Sequence, residues 1–175
     1  VEDCVGFLPM EAAGPIYWYA VNLGKYAALD SFPTLLFYKA QIFSLMQRLL
    51  ELDELYYYGA AHRYFGAYYS KAPAWAGGDM TKSKYHFEKA RELCPSDVYI
   101  IQRYATALIY FGEFEQALDE VKRAMRLDPF SHDLLHGTEA LCYYWLGNYD
   151  KSISCFKKIK VLKAQLFFLA IFIYH

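Results

Sequence analysis

The sequence predicts an all-α protein, an α-solenoid built from stacked helical hairpins. The first observation is an internal repeat, because Pro95 and Pro129 lie 34 residues apart and Gly112 and Gly147 lie 35 apart. Both periods are typical of helical repeats. The second is that apolar residues recur at helical spacing, while no stretch shows the sustained alternation of a half-buried strand. With 175 residues, 56% of them hydrophobic, the chain is long enough to bury a core.

The clearest repeat unit covers residues 98–129. Two helical patterns meet at Gly112, which is typical of a short turn between helices. The second helix has small or apolar residues at fixed spacings and then a stop, at Ala117, Val121, Ala124, Leu127 and Pro129. This order of residues in a unit of about 34 residues is the tetratricopeptide pattern.

Related spacings on either side predict further hairpins. The segment 80–95 has small or apolar residues in the same order before Pro95, and 143–159 repeats the turn at Gly147. The prediction is one helical-repeat domain over residues 1–175. Its parts are hairpins at about 10–54, 55–95, 96–129 and 130–162, followed by an apolar C-terminal helix over 163–175.

The first two hairpins are longer than the repeat period, and their loops explain the extra length. Ser31 and the following Pro33 are typical of a helix start. The segment APAWAGG (72–78) contains Pro and Gly and predicts an inserted loop. Its Trp75 is either a gate over a groove or a plug. GGDM (77–80) predicts a turn followed by a helix capped by Asp79.

Charge and motifs exclude several classes of function. The net charge is −1, so no basic surface for nucleic acid is expected. The four cysteines lack CxxC spacing, and neither a metal nor a cofactor is expected. The cysteines are interpreted as small buried residues. No Ser or Cys belongs to a recognisable motif with His and an acid, so we do not expect an enzyme. The start VEDCVGF lacks a signal-peptide pattern, and the apolar run 164–174 is too short to span a bilayer.

Three stretches carry a family resemblance. They are IYWYAVNLGKYAAL (16–29), LLELDELYYYGAAHRYFGAYYSKAP (49–73) and GGDMTKSKYHFEKA (77–90). Over residues 12–95 the chain resembles the tetratricopeptide-containing T component of tripartite ATP-independent periplasmic (TRAP) transporters, and residues 96–162 resemble generic tetratricopeptide repeats.

The resemblance implies a non-catalytic periplasmic accessory protein that docks the solute-binding subunit. Members of this family are usually held at the membrane by a lipid anchor, which is not recognisable in this chain. The resemblance also implies a central hole or cleft between helices that could admit a small organic ligand.

A candidate ligand site lies in the predicted helix 55–71. Gly59, Gly66 and Ser70 fall on one stripe of that helix, and His62 and Arg63 lie between them. Two glycines in a helix indicate close approach of another helix or of a ligand. Arg63 is suited to a carboxylate. Alternatively, the helix packs tightly and both side chains pair with an acid such as Asp53, Glu54 or Asp79. The candidate ligand-binding residues are Trp18, Tyr19, Tyr57, Tyr58, His62, Arg63 and Trp75.

A second candidate site is the concave face of the third and fourth hairpins. Its predicted residues are aromatic or weakly polar: Tyr99, Gln102, Thr106, Tyr110, Leu141, Tyr144 and Trp145. Such a groove suits an apolar ligand, or a partner's peptide or helix, as in a generic protein-interaction module. The chain's own C-terminal segment is another occupant, and the same segment is a candidate for self-association. A third interpretation leaves both sites without a ligand.

Overall fold

The computed structural model describes residues 5–130 and 133–160, and within them it contains α-helices and two 3-10 turns but no strand. The predicted all-α class, an α-solenoid of tetratricopeptide-like hairpins, is confirmed. The helices are α1 (Ala13–Asp30), α2 (Phe32–Leu52), α3 (Tyr56–Lys71), α4 (Met80–Leu93), α5 (Val98–Tyr110), α6 (Phe114–Leu127), α7 (Asp133–Trp145) and α8 (Tyr149–Phe156).

The chain divides into two compact units, residues 1–65 and 66–175, and the division falls within α3. We call them the N-terminal unit and the C-terminal unit. The assignment of the whole chain to one repeat domain stays a prediction. The predicted C-terminal helix over 163–175 lies outside the described residues.

The N-terminal unit is built on the α1–α2 hairpin. Small residues let the two helices approach, with Ala20 and Ala27 fully buried, as is Leu49 on α2. The predicted helix start is confirmed, because the Ser31 side chain accepts a hydrogen bond from the Thr34 amide at 3.3 Å. That bond satisfies one of the amides that a helix leaves without a partner at its first turn.

The C-terminal unit stacks its helices in chain order. Each helix from α4 to α8 packs against the next, and α5 also packs against α7. Gly112 and Gly147 have positive φ values of 79° and 74°, the conformation that the turn between paired helices requires and glycine adopts at little cost. The core joins side chains of successive hairpins, namely Phe87, Tyr104, Ala105, Leu108, Ala117, Leu118, Val121 and Cys142.

Ion pairs add a polar connection between neighbouring repeats. Arg91 on α4 pairs with Glu120 on α6, a carboxylate that is only 9% exposed. Arg123 approaches the same carboxylate at 3.6 Å and donates to the Pro95 carbonyl at 2.6 Å. A buried carboxylate is tolerated only where cations or donors compensate its lost hydration, so this network holds the second and third hairpins together.

Candidate functional site

Aromatic side chains from α1 and from the start of α3 meet in the N-terminal unit. The ring centroid of Tyr57 lies 5.2 Å from that of Tyr17 and 5.8 Å from that of Trp18. Tyr56 and Tyr58 lie 6.5 and 5.9 Å from Tyr57. We call these five residues the aromatic cluster. Trp18, Tyr57 and Tyr58 are each about half exposed or more, so the cluster presents apolar surface and hydroxyl groups to solvent.

The backbone at the start of α3 is left-handed. Tyr57, Tyr58 and Gly59 have φ values of 45°, 60° and 67°. The prediction of one regular helix over 55–71 is therefore wrong at these three residues, and Gly59 does not belong to a helical stripe. Glycine adopts this conformation readily, but for each tyrosine the left-handed region costs about 1–2 kcal/mol. Two such residues in succession mark a strained segment, a feature that clusters at binding sites.

Gly66 and Ser70, the other members of the predicted stripe, serve the packing of α3. A Cβ atom at Gly66 would lie 2.8–2.9 Å from the ring of Phe87 on α4. Ser83 Oγ donates to the Gly66 carbonyl at 2.8 Å, and Ser70 Oγ donates to the Ala67 carbonyl at 3.0 Å. The close approach that the glycine predicts is thus made by a neighbouring helix.

His62 and Arg63 take different positions although they are adjacent. His62 is 2% exposed, and its Nε2 lies 3.0 Å from Glu54 Oε1, as the packing alternative predicts. Arg63 donates from Nη2 to the Tyr57 carbonyl at 2.8 Å, and its guanidinium carbon lies 5.7 Å from the Tyr57 ring centroid. Arg63 therefore supports the left-handed turn, while His62 belongs to the interior.

The two remaining ligand candidates are both exposed. Tyr19 is 53% exposed and accepts a hydrogen bond from Gln41 Nε2 at 3.3 Å. Trp75 is 76% exposed, on an inserted loop that is itself well fixed. The Tyr68 hydroxyl donates to the Ala76 carbonyl at 3.0 Å, and the Asp79 side chain accepts from the amides of α4's first turn, which confirms the predicted cap. The Trp75 ring is thus presented to solvent by a loop that is hydrogen-bonded to the neighbouring helices.

The C-terminal unit contains an open groove of about 1070 Å³, which we call the repeat groove. Its walls come from the first helices of the third and fourth hairpins, together with the end of α3 and one face of α4. Five of the seven predicted groove residues line it, whereas Tyr99 and Tyr144 do not. The lining residues used below are Lys71, Gln102, Arg103, Thr106, Tyr110, Leu141 and Trp145.

The predicted groove residues differ in how accessible their side chains are to an occupant of the groove. Gln102 is 8% exposed and donates to Thr138 Oγ1 at 3.1 Å, so it holds α5 to α7. Leu141 is 7% exposed and packs on Ile159. Tyr110 is 67% exposed, which leaves its ring free to meet an occupant of the groove.

Sequence reasoning missed Lys71 and Arg103, the two cationic residues in the described part of the groove lining. Arg103 lies three residues before Thr106 and seven before Tyr110, so the helical register of these two groove residues would have found it. Lys71 is the last residue of α3, and its place in the groove follows from tertiary packing that no local pattern reveals.

Two cysteines of the C-terminal unit, Cys142 and Cys155, are buried and kept protonated. Burial raises the pKa of Cys142 to about 12. The pKa of Cys155 rises to about 11, first because of burial and then because its thiol donates to Glu139 Oε2 at 3.2 Å. Since the thiolate is the reactive form, both residues are inert thiols at neutral pH. Cys4 lies outside the described residues.

Two further properties concern metals and membranes. Within residues 5–130 and 133–160, no group of three or more His, Cys, Asp or Glu side chains converges as a metal site would require. Across the same part of the chain, none of the helices is both long and apolar enough to cross a membrane.

Solved structures with this arrangement of helices are tetratricopeptide proteins. The chain is similar to MamA MSR-1, with a TM-score of 0.56 and 19% identity over 90% of this chain and 93% of that one. It is also similar to MamA AMB-1, with a TM-score of 0.55 and 20% identity over 85% and 91%. A thermophilic TPR protein of Thermus thermophilus matches with a TM-score of 0.50 and 15% identity over 90% and 80%. At these identities the likeness shows the fold alone.

Comparison with protein families is more specific. No curated protein matched the chain. The family model described as TRAP transporter T-component matches residues 5–134, which includes the whole of the stretch 12–95 where the sequence motifs lie and continues through the third hairpin. The match covers the aromatic cluster, the inserted loop and one wall of the repeat groove. This family and fold support a role in protein interaction, and the chain belongs to the TRAP transporter T-component family.

Proposed function

We propose that this protein is a non-catalytic, periplasmic adaptor of a TRAP-type transporter and that it docks the solute-binding subunit in the repeat groove. Membership in the T-component family is the observation that carries the proposal. The family connects the chain to a transporter, and the helical-repeat fold is one that binds proteins along a concave face.

The geometry of the groove supports docking of a protein segment. Tyr110 and Trp145 are 67% and 45% exposed and stand on its walls, where a partner would bury them. Exposed aromatic side chains of this kind supply much of the binding energy at protein interfaces, since they bury a large area at a small entropic cost. Trp145 is also held in place by stacking on Phe114, with ring centroids 5.7 Å apart.

Trp145→Ala is expected to weaken binding of the solute-binding subunit of the same transporter by at least about tenfold, the loss typical of an interfacial aromatic anchor. Isothermal titration calorimetry of the two purified proteins measures the effect. Tyr149→Ala is the matched control, because Tyr149 is 59% exposed in the same unit but does not line the groove. Equal weakening by both substitutions, or no binding by the unaltered protein, contradicts docking in the groove.

A second proposal concerns a small organic ligand held by the aromatic cluster. The observation that favours it is the left-handed turn at Tyr57 and Tyr58, which places two exposed rings beside Trp18 in a conformation that costs energy. Arg63 lies over the Tyr57 ring and brings a positive charge to the cluster. Together these groups suit a ligand with an apolar body and an acidic group.

Tyr58→Gly is expected to raise the free energy of unfolding by about 0.5–1 kcal/mol, because relief of the left-handed strain exceeds the entropic cost of glycine. It is also expected to remove a small organic acid that native mass spectrometry detects on the unaltered protein. Tyr26→Gly is the control, since Tyr26 is 56% exposed in the right-handed helix α1. There glycine should cost about 1 kcal/mol and leave the ligand in place. Loss of stability in Tyr58→Gly, or unchanged ligand content, contradicts the proposal.

A further inference from the structure

The charge of the repeat groove is one-sided. Lys71 and Arg103 line it, and among the described residues that line it none is Asp or Glu. The rest of the lining is aromatic, aliphatic or neutral polar, with Thr106, Tyr110 and Trp145 as exposed examples. A cation in a partly apolar groove is less well hydrated than one on an open surface, so a carboxylate that enters the groove gains more from it.

Arg103 is the more constrained of the two cations. Its guanidinium carbon lies 5.3 Å from the centroid of the Tyr99 ring, a cation–π contact that favours one position of the group. Its Nε is buried and makes no hydrogen bond to the residues that the structure describes. A buried donor without a partner is unusual in a native protein, so this guanidinium keeps hydrogen-bonding capacity that the described residues do not use.

Building on the docking function above, we propose that the repeat groove binds an acidic and apolar segment of a partner protein, and that Arg103 pairs with a carboxylate side chain of that segment. The planar guanidinium suits such a carboxylate, because it can donate two parallel hydrogen bonds. Lys71 is exposed and adds a weaker, screened attraction.

The size and openness of the groove favour a protein segment over a free small acid. Small-molecule sites commonly enclose about 300–1,000 Å³ and bury most of the ligand. This groove measures about 1070 Å³, and Tyr110 on its wall is 67% exposed, so a small acid would leave most of the wall uncovered. The chain's own segment 164–174 is apolar but contains no Asp or Glu, so it offers Arg103 no carboxylate side chain.

The experiment uses the full chain and a matched pair of synthetic peptides. Each peptide is an amphipathic helix of about 16 residues, a length chosen to span two repeats. Leu at i, i+3, i+4 and i+7 gives it one apolar face, the pattern of a helix that binds in a groove. One carries Glu on its polar face, and the other carries Gln at the same positions. Tryptophan fluorescence reports binding, since Trp145 is the one of the chain's three tryptophans that lines the groove in the described residues. The expected result is that the Glu peptide binds at least about tenfold more tightly than the Gln peptide.

Substitutions separate recognition of the carboxylate from an effect on folding. Arg103→Gln is expected to abolish the preference for the Glu peptide and to leave binding of the Gln peptide unchanged. Arg103→Lys is expected to restore part of the preference, because it keeps the charge but not the bidentate geometry. Arg126→Gln, at an exposed position on α6 outside the groove, is the control and should leave the preference intact. If Arg103 has only a structural role, Arg103→Gln will weaken the binding of both peptides by the same factor.

Several outcomes overturn the inference. They are equal affinity for the two peptides, no binding of either peptide to the full chain, and displacement of the Glu peptide by succinate at similar concentrations. The last result would assign the groove to a small acid. The docking function is judged separately. If the solute-binding subunit binds in the groove and Arg103→Gln does not change its affinity, the docking proposal stands and the inference of an acidic segment is contradicted. If the Glu peptide binds through Arg103 but the subunit does not bind, the docking proposal fails alone.

Discussion

Gly78→Ala is expected to lower the free energy of unfolding by about 3 kcal/mol or more, at the upper end of the range for overpacked sites. A Cβ atom at this position would overlap the carbonyl oxygen of Ala72 and lie 2.7 Å from the carbonyl carbon of that residue. The obstacle is backbone, so no rotation of a side chain relieves it. The neighbouring amides cannot move freely either, because Gly78 N donates to the Pro73 carbonyl and Asp79 N to the Tyr69 carbonyl, both at 3.0 Å.

Thermal unfolding followed by circular dichroism measures this effect. A loss of about 3 kcal/mol corresponds to a fall of about 6–12 °C in Tm for a chain of this length. Gly24→Ala is the control, because its Cβ would meet only Ile42 Cδ1, at an ordinary 3.8 Å, within a right-handed helix. That variant should be neutral or more stable, since alanine favours helix by about 1 kcal/mol over glycine. A Gly78→Ala protein as stable as the unaltered chain would show that the loop 72–78 moves apart at little cost.

The repeat architecture was predictable from the sequence because local signals and packing agree. Gly112 and Gly147 mark turns that require positive φ, and the small residues of each second helix permit the stacking seen in the C-terminal unit. The Asp79 cap was predictable for the same reason, since Asp is a favoured N-cap residue and the two glycines before it favour a turn. In these places the required backbone conformation admits only a few residue types.

The candidate ligand site was less predictable, because its residue types are compatible both with a helix and with the left-handed turn that the chain forms. Tyr57, Tyr58 and Gly59 fit a helical pattern by composition, yet their backbone is left-handed. Ring contacts with Tyr17 and Trp18 accompany that conformation. Helix propensity is a local quantity and does not include such tertiary contacts. His62 and Arg63 are neighbours in sequence, but only the structure distinguishes a buried imidazole from a guanidinium placed over a ring.

The repeat groove shows a related limit. Helical register identified Thr106, Tyr110 and Trp145, because these lie on the inner face of the first helix of each repeat. Register alone also included Gln102 and Leu141, which are largely out of contact with solvent. Gln102 is hydrogen-bonded to Thr138, and Leu141 packs on Ile159. Which of the inward residues remain available depends on the neighbouring hairpin, and sequence spacing carries no information about that.

Phe87→Ala is expected to destabilise the protein by about 3–5 kcal/mol, the range for removing a fully buried aromatic ring. Phe87 is 1% exposed and shares one buried cluster with Tyr104, Leu108 and Val121, so the cavity would open between the second and third hairpins. The ring also lines the floor of the repeat groove. The same substitution is therefore expected to weaken partner binding as well as folding. Urea unfolding and the calorimetric titration measure the two losses separately.

The close contact between Phe87 and Gly66 gives this prediction an internal check. In the unaltered chain Gly66→Ala should be destabilising, because the new Cβ would lie 2.8 Å from the Phe87 ring. In the Phe87→Ala background the same change should be neutral or stabilising, since the obstacle is gone and alanine favours helix. The two effects should differ by at least about 1 kcal/mol in a double-mutant cycle. Tyr85→Ala, which removes a half-exposed ring from the same helix, should cost less than about 1 kcal/mol. Additive effects at residues 66 and 87 would mean that α3 and α4 are not in close contact at this pair of residues.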